Sequence, residues 1–341
     1  MKTIVHVAGN MLLRPNGISR YIRSCADYGK SINQEHVLLS DSKPHDYLSK
    51  NITTFYDTEA DLYSGLGMHP TNDHVWLAPD NNVVEQLKQV VAQWAASTDA
   101  KRIVYVSHDY HAAQALEQLA PSATRIVHVN HESDIQFTNY RFSYVNDDWI
   151  SGHTKLFSET NNFVGLVNRN GDIVAKNPLF LPMPWKKVKH NITHKREGLV
   201  YIGDSSYRKG ADRFLNVAKQ LDTKITIISH DDATMFEDFN RVSFDLDEYD
   251  DMLELISQHK CAYIPARGEA SPLAAFEALT VTNLVLPQER WTYEASLAGA
   301  TVVKEEMAAS AVEKALSSKM APITLLVQDY KKRANQIWAR L

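Results

Sequence analysis

The chain has 341 residues, too many for one ordinary core and enough for two domains of roughly 150–180 residues. Its composition, 44% hydrophobic and 23% charged, is that of a globular protein and excludes a disordered or low-complexity chain. A net charge of −5 excludes a basic nucleic-acid coat, so any polyanion has to meet a local patch.

Short apolar runs alternate with helical patterns, which predicts an α/β fold with parallel sheets. Residues 3–7 read as a first strand and 8–17 as a loop ending in Asn16-Gly17. Ile18, Tyr21, Ile22 and Cys25 then recur at helical spacing. Further strands are predicted at 36–39, 75–77, 102–106, 125–129 and 155–157, with a helix at 82–97. The stretch Asn177-Pro-Leu-Phe-Leu-Pro-Met-Pro-Trp-Lys-Lys holds three prolines and reads as a linker. A second block then starts over. Its strands fall at 199–202, 224–228, 242–244, 261–264 and 284–286, and its helices at 211–221, 250–258, 272–279 and 307–318. Residues 323–341 form a last helical pattern. The expected organisation is a Rossmann-like domain over 1–180, a second over 181–320, and a terminal helix, 321–341, that could cross back to pack on the first. The two domains are expected to face each other across a cleft, with ligands at the carboxyl ends of the strands.

The two cysteines, Cys25 and Cys261, lie in apolar settings and make no disulfide framework, which suits a reducing compartment. No apolar stretch approaches the roughly 20 residues of a membrane span, and the amino terminus lacks the pattern of a signal peptide. The expected location is the cytoplasm, and the Asn51-Ile-Thr and Asn191-Ile-Thr sequons then read as chance.

Two segments carry the chemistry. In residues 264–277, Glu269 falls in a loop after a strand, Ser271-Pro272 supplies an N-cap and N1 pair, and Glu277 lies inside the helix that follows. Backbone N–H groups at such a helix start, near Ala270, Ser271 and Leu273, can hold a phosphate. One carboxylate can accept from sugar hydroxyls and the other from a ribose. In residues 199–214, a strand leads through Gly203 and a short polar loop to Arg208, Lys209 and Gly210 at a helix start. Arg208 and Lys209 would put positive charge where a diphosphate needs it.

Together these segments resemble the carboxyl-terminal domain of GT-B glycosyltransferases, especially family 4 and the glycogen-synthase-like retaining enzymes. Those enzymes share a Gly…Lys-Gly loop and a Glu-x7-Glu motif, and here Glu269 and Glu277 have that spacing. The likeness extends amino-terminally. Val104-Tyr-Val-Ser-His-Asp-Tyr-His-Ala112 and Val127-His-Val-Asn-His-Glu132 resemble the family's strands that end in functional histidines, and Gly17 resembles its amino-terminal glycine loop. The resemblance implies that Lys209 binds the donor phosphates, Glu277 the ribose, and Glu269 the donor sugar. It places His131 by the reacting centre, while His108 reads as structural. Two departures stand out. Asp204 occupies a position where the family often has Arg, so Arg208 or Arg267 would have to compensate. Pro272 removes one backbone donor from the phosphate site.

The mechanism implied is transfer from a nucleotide sugar, most commonly a UDP-sugar, with retention at the anomeric carbon and no cofactor. No metal is expected: the histidines lack ligand spacing, and Asp245-Leu-Asp247 follows a strand of the second block, where it opens a turn. Two acceptors fit. The resemblance extends to phage DNA α-glucosyltransferases, in which a His-acid pair like His131-Glu132 would act on the hydroxymethyl group of a base in double-stranded DNA. Residues 185–196, with five Lys and Arg and no acid, could then meet phosphates, in a host cytoplasm if the chain is phage-encoded. The alternative acceptor is lipopolysaccharide or another surface glycan. A non-catalytic nucleotide-sugar-binding protein and a nucleotide-sugar epimerase are the readings from other classes.

Overall fold

The computed structural model describes residues 2–9, 17–50, 52–56, 81–119, 125–131, 147–167, 175–184, 195–229, 234–242, 249–269, 273–319 and 325–341. The chain divides into two compact units, one of Met1–Lys186 with Ala334–Leu341, the other of Lys187–Arg333. The break therefore falls six residues beyond the expected 180/181 boundary. The last helix is divided at 333/334, its final residues belonging to the first unit.

The first unit is built on seven parallel strands: β1 (Thr3–Ala8), β2 (Glu35–Ser40), β3 (Thr53–Tyr56), β4 (Ile103–Ser107), β5 (Arg125–Asn130), β6 (Phe163–Leu166) and β7 (Pro178–Phe180). Their order is β3-β2-β1-β4-β5-β6-β7. Every residue of β1 is buried, as expected of a central strand covered by helices on both faces. The helices are α1 (Gly17–Ser31), α2 (Asp46–Ser49), α3 (Asn81–Ser97), α4 (Tyr110–Leu119) and α5 (Asp147–Glu159). In α1, Ile18, Tyr21, Ile22, Cys25, Ala26 and Gly29 are buried at i, i+3, i+4 spacing, so one stripe faces the core. Val83, Leu87, Val90 and Trp94 of α3 and Ala112, Ala115 and Leu116 of α4 close over Val5, Val7, Val37 and Leu39 on the opposite face.

The second unit repeats the plan with six parallel strands: β8 (Leu199–Ile202), β9 (Ile225–Ile228), β10 (Asn240–Val242), β11 (Cys261–Tyr263), β12 (Asn283–Pro287) and β13 (Thr301–Val303). Their order is β10-β9-β8-β11-β12-β13. Its helices are α6 (Ala211–Ala218), α7 (Tyr249–Ser257), α8 (Leu273–Val281), α9 (Tyr293–Leu297) and α10 (Ala308–Ser317). The chain ends in α11 (Leu325–Arg340), whose last turns belong to the first unit. There Trp338 is buried and its Nε1 donates to Pro182 O at 2.7 Å.

Both sheets are doubly wound. The strand order reverses between β1 and β4 in the first and between β8 and β11 in the second. In such sheets the loops beyond the carboxyl ends at the reversal form the natural ligand crevice.

Two expectations are corrected. Residues 155–157 are not a strand but part of α5. His153 and Phe157, four apart, are both buried, and their rings meet edge-on at 4.5 Å, whereas Lys155 is exposed, which is helical rather than alternating order. The proline-rich stretch after Asn177 is not a free linker either. Pro178–Phe180 is the edge strand β7, where a proline at the first position removes no needed ladder donor. The strand expected at 75–77, and Asp245-Leu-Asp247, lie outside the described residues.

Candidate functional site

In the second unit the reversal point is occupied by charged side chains. The loop after β8 carries Arg208 and Lys209, and the loop after the neighbouring strand β11 carries Glu269. Lys209 Nζ lies 2.5 Å and Arg208 Nη1 3.1 Å from the same oxygen, Glu269 Oε1. Arg208 Nη1 also donates to Gly268 O at 3.2 Å. All three side chains are largely covered, 25%, 17% and 13% exposed, so their charges act through less water than surface charges do.

Glycine at position 210 makes this convergence possible. Gly210 caps α6 with φ +74°, in the left-handed region, and a Cβ there would sit 2.2 Å from Pro265 O. The β8–α6 loop thus lies directly on the loop after β11, and Arg267 N donates to Arg208 O at 2.8 Å to close the contact. Arg267 is the clamp. Its guanidinium grips both oxygens of Asp212 at 2.6 and 2.5 Å, donates to Tyr207 O at 2.6 Å and stacks 3.6 Å from the Tyr207 ring. The Arg267 hydrogen bond, with its charge, holds the Asp212 carboxyl below the usual carboxylate range. Arg267 is therefore committed to the loop and does not serve as the spare cation expected from the sequence. Arg208 is the basic residue positioned beside Lys209.

Asp204 shapes the same loop. Its Oδ1 accepts from Ser206 N at 2.9 Å in a local Asx turn, and its carbonyl accepts from Tyr201 Oη at 2.7 Å. Gly203 N donates to Ile228 O at 3.0 Å, so the glycine's amide continues the strand and is not available to a phosphate. Its place in the site comes from its missing side chain, since a Cβ would stand 3.1 Å from Tyr201 Oη and 3.6 Å from Lys209 Cβ.

Leu273 opens α8, and Glu277 lies one turn further along at 1% exposure. That helix is buried on nearly every side, so a carboxylate inside it is an exception to its otherwise apolar composition. Ala270, Ser271 and Glu132 lie outside the described residues.

In the first unit Gly17 is the exposed first residue of α1. His131 directly follows β5, with His108 directly following β4 beside it. His131 Nε2 is 2.9 Å from His108 Nδ1, and the Tyr21 ring meets His131 edge-on at 4.8 Å. Burial pushes the His131 imidazole down to about 3, so it is neutral at pH 7. At the reversal point, Gly9 N donates to Asp109 Oδ2 at 2.7 Å while Asp109 Oδ1 accepts from Ala112 N at 2.8 Å. One carboxylate thus ties the end of β1 to the start of α4. Asp41, beyond β2, is fully buried, and desolvation together with the Asp109 charge pushes its carboxyl up to about 7.

A further group has the partners of a hydrolytic triad without its function. Ser107 Oγ is 2.8 Å from His128 Nδ1, and His128 Nε2 is 2.8 Å from Glu117 Oε1. Ser107 and His128 are buried, and Thr160 and Asn162 also donate to Glu117, so the group ties strands to a helix rather than presenting a nucleophile.

Among the described residues no group of three or more His, Cys, Asp or Glu side chains is placed to hold a metal ion, and no helix is long and apolar enough to cross a membrane.

No family model matches the chain, and no curated protein matches its sequence. Solved structures do match its fold. Sucrose-phosphate synthase from Thermosynechococcus elongatus aligns over 100% of this chain and 95% of its own at a TM-score of 0.68 and 10% identity. TarM aligns over 99% and 95%, also at 0.68 and 10%. A UDP-forming α,α-trehalose-phosphate synthase from Burkholderia vietnamiensis aligns over 100% and 98% at 0.59 and 12%. The chain has the α/β GT-B fold of these glycosyltransferases.

Proposed function

We propose that the protein is a glycosyltransferase that takes a sugar from a nucleotide diphosphate sugar, a UDP-sugar first, and retains its anomeric configuration. The observation that carries this reading is the convergence of Lys209 and Arg208 on Glu269 at the strand reversal of the second unit. Two cations held by a glycine-permitted loop contact suit a diphosphate. Glu269 balances one of their two charges when no donor is bound and is freed for sugar hydroxyls when a diphosphate takes its place. Leu273 opens the helix behind the phosphates, the sequence offers backbone N–H groups near Ala270 and Ser271 as further phosphate donors, and Glu277 holds the ribose. Gly203 and Gly17 leave room for close approach of the donor. Two of the similar solved structures are UDP-forming synthases, which supports the choice of nucleotide.

The bond from the anomeric carbon to the diphosphate oxygen breaks and its electron pair stays on that oxygen. Lys209 and Arg208 stabilise the charge that develops there. The acceptor oxygen bonds to the anomeric carbon on the face being vacated, and its proton passes to the departing phosphate oxygen. No protein base is needed, which agrees with a His131 that is neutral and poorly basic. No cofactor or metal takes part in this scheme. As acceptor we favour the hydroxymethyl group of a modified base in double-stranded DNA, on the sequence of residues 185–196 and the His131-Glu132 pair. A surface glycan is the alternative.

The test is nucleotide release from a panel of UDP-, GDP- and ADP-sugars, with proton NMR of the anomeric signal of the product. Release from one donor and an unchanged anomeric configuration support the reading. A donor that binds without turnover with every acceptor indicates a binding protein, and product from donor alone indicates an epimerase.

A further inference from the structure

Four histidines from four neighbouring strand positions are joined ring to ring. His36 on β2 meets His6 on β1 (Nδ1 to Nε2, 2.9 Å), His6 meets His108 after β4 (Nδ1 to Nε2, 2.8 Å), and His108 meets His131 after β5 (Nδ1 to Nε2, 2.9 Å). Successive rings stack at 5.0–5.2 Å between centroids. Each contact runs from a Nδ1 to the next ring's Nε2, so the chain has a direction. A neutral imidazole carries one N–H and one lone pair. Any mixture of tautomers along a neutral chain would set two hydrogens or two lone pairs face to face at under 3 Å. The four rings must therefore choose together: all protonated on Nδ1, or all on Nε2.

The buried end decides. His36 Nε2 is buried and has no hydrogen-bond partner among the described residues. It abuts Gly29, where a Cβ would come within 2.2 Å of it. The Gly29 carbonyl already accepts from Ile32 N and Gln34 N, and the Lys30 charge acts on the same ring. A hydrogen on His36 Nε2 would be an orphaned donor beside a positive charge. A lone pair there is the lesser cost, because orphaned buried N–H groups are the rarer fault in folded proteins. All four rings then carry their hydrogen on Nδ1. The one N–H left over is on His131, which is of intermediate exposure where the other three are buried.

We propose that His36, His6 and His108 are positioning residues that lock His131 as the neutral Nδ1–H tautomer, so that its remaining nitrogen, Nδ1, is a hydrogen-bond donor to an oxygen of the ligand and not a proton acceptor. The chain is a lock and not a conduit, because its far end stops against Gly29 with no group among the described residues to give or take a proton. The separations of 2.8–2.9 Å are those of hydrogen bonds, shorter than the about 3.3 Å between two nitrogens on one tetrahedral zinc. That the ligand is a nucleotide sugar rests on the proposed function, but the tautomer does not.

The test is long-range proton–nitrogen NMR on the uniformly ¹⁵N-labelled full chain at pH 7, without ligand. The expected spectrum has Nδ1 protonated in all four rings, with couplings across the hydrogen bonds that identify Nδ1 as donor each time. His131 protonated on Nε2, or on both nitrogens, overturns the proposal. The variant His36→Asp provides only acceptor oxygens opposite His6 Nε2 and so requires the opposite chain. It should bring out the Nε2–H form of His131 and lower kcat about tenfold, the worth of one lost hydrogen bond, with KM for the donor changed less. An unaltered His131 in the folded variant would refute control by His36. Should that variant not fold, the wild-type couplings decide alone. The expected tautomers in a protein that transfers no sugar would count against the proposed function and leave the lock standing.

Discussion

Replacing Lys209 with Met removes one of the two cations on Glu269 and keeps the volume of the side chain. Arg208 still holds the carboxylate at 3.1 Å, so the loss without donor is that of a partly exposed ion pair, about 1 kcal/mol or less. For a protein unit of this size that is a fall in Tm of under about 4 °C. In the donor complex the same nitrogen is expected on a phosphate, where a hydrogen bond to a charged group contributes about 1.5–3 kcal/mol net. Donor binding has first to displace Glu269, which takes back part of that. The expected outcome is an affinity for UDP-sugar weaker by about tenfold or somewhat more, read by calorimetric titration beside a thermal melt. Unchanged affinity would refute the placement of the diphosphate. A Tm loss far above 4 °C would show that Lys209 holds the loop together rather than the ligand.

Gly210→Ala should lower stability by about 1–2 kcal/mol for its left-handed backbone alone, and by more for the approach to Pro265 O; an unchanged urea midpoint would mean that the loop is free to shift. His131→Ala should lower turnover more than donor affinity, checked by separating kcat from KM; equal turnover would make His131 a packing residue. Acid should destabilise the first unit. Burial holds His36 near 4 and His131 and His153 near 3, whereas unfolded imidazoles titrate near 6.5. The unfolded chain therefore gains protons first, and stability present above pH 6.5 is lost as pH falls towards 4 and 3, at up to about 1.4 kcal/mol per pH unit per histidine. Asp41, raised to about 7, works in the opposite sense, its contribution being present at low pH and lost as pH rises through 7, but it is one group against three. A urea midpoint at pH 5 equal to that at pH 7 would contradict this. Full activity after EDTA treatment is expected, and a loss restored by Mn²⁺ would require a metal that the scheme omits.

Both sheets were legible because parallel strands buried on two faces read as largely apolar runs, as at β8 and β12 and, interrupted by His6, at β1. The elements that escaped were short or ambiguous. β3, β7 and β13 have three or four residues each and lie at or next to sheet edges, and β7 was hidden by its prolines. In the site, the choice of Lys209 and Glu269 followed from their loops between a strand and a helix, though not their pairing, which needs β8 beside β11. The Arg267–Asp212 clamp did not, because nothing at 55 residues' separation marks which arginine a helix-start carboxylate will take. The histidine chain left a faint trace, one histidine at or near a strand in each of β1, β2, β4 and β5. Reading it required the lateral order β2-β1-β4-β5, which only the folded sheet provides.

The most direct test of the account is mass spectrometry of reactions that pair each nucleotide sugar with hydroxymethylated DNA, unmodified DNA or a glycan mixture. The account predicts a gain of one sugar mass on an acceptor from a UDP-sugar, on the hydroxymethylated base first, and loss of that gain in Lys209→Met. A sugar gain on glycan alone would keep the glycosyltransferase and move the acceptor. No mass gain on any acceptor from any donor, with the protein folded, would contradict the central claim.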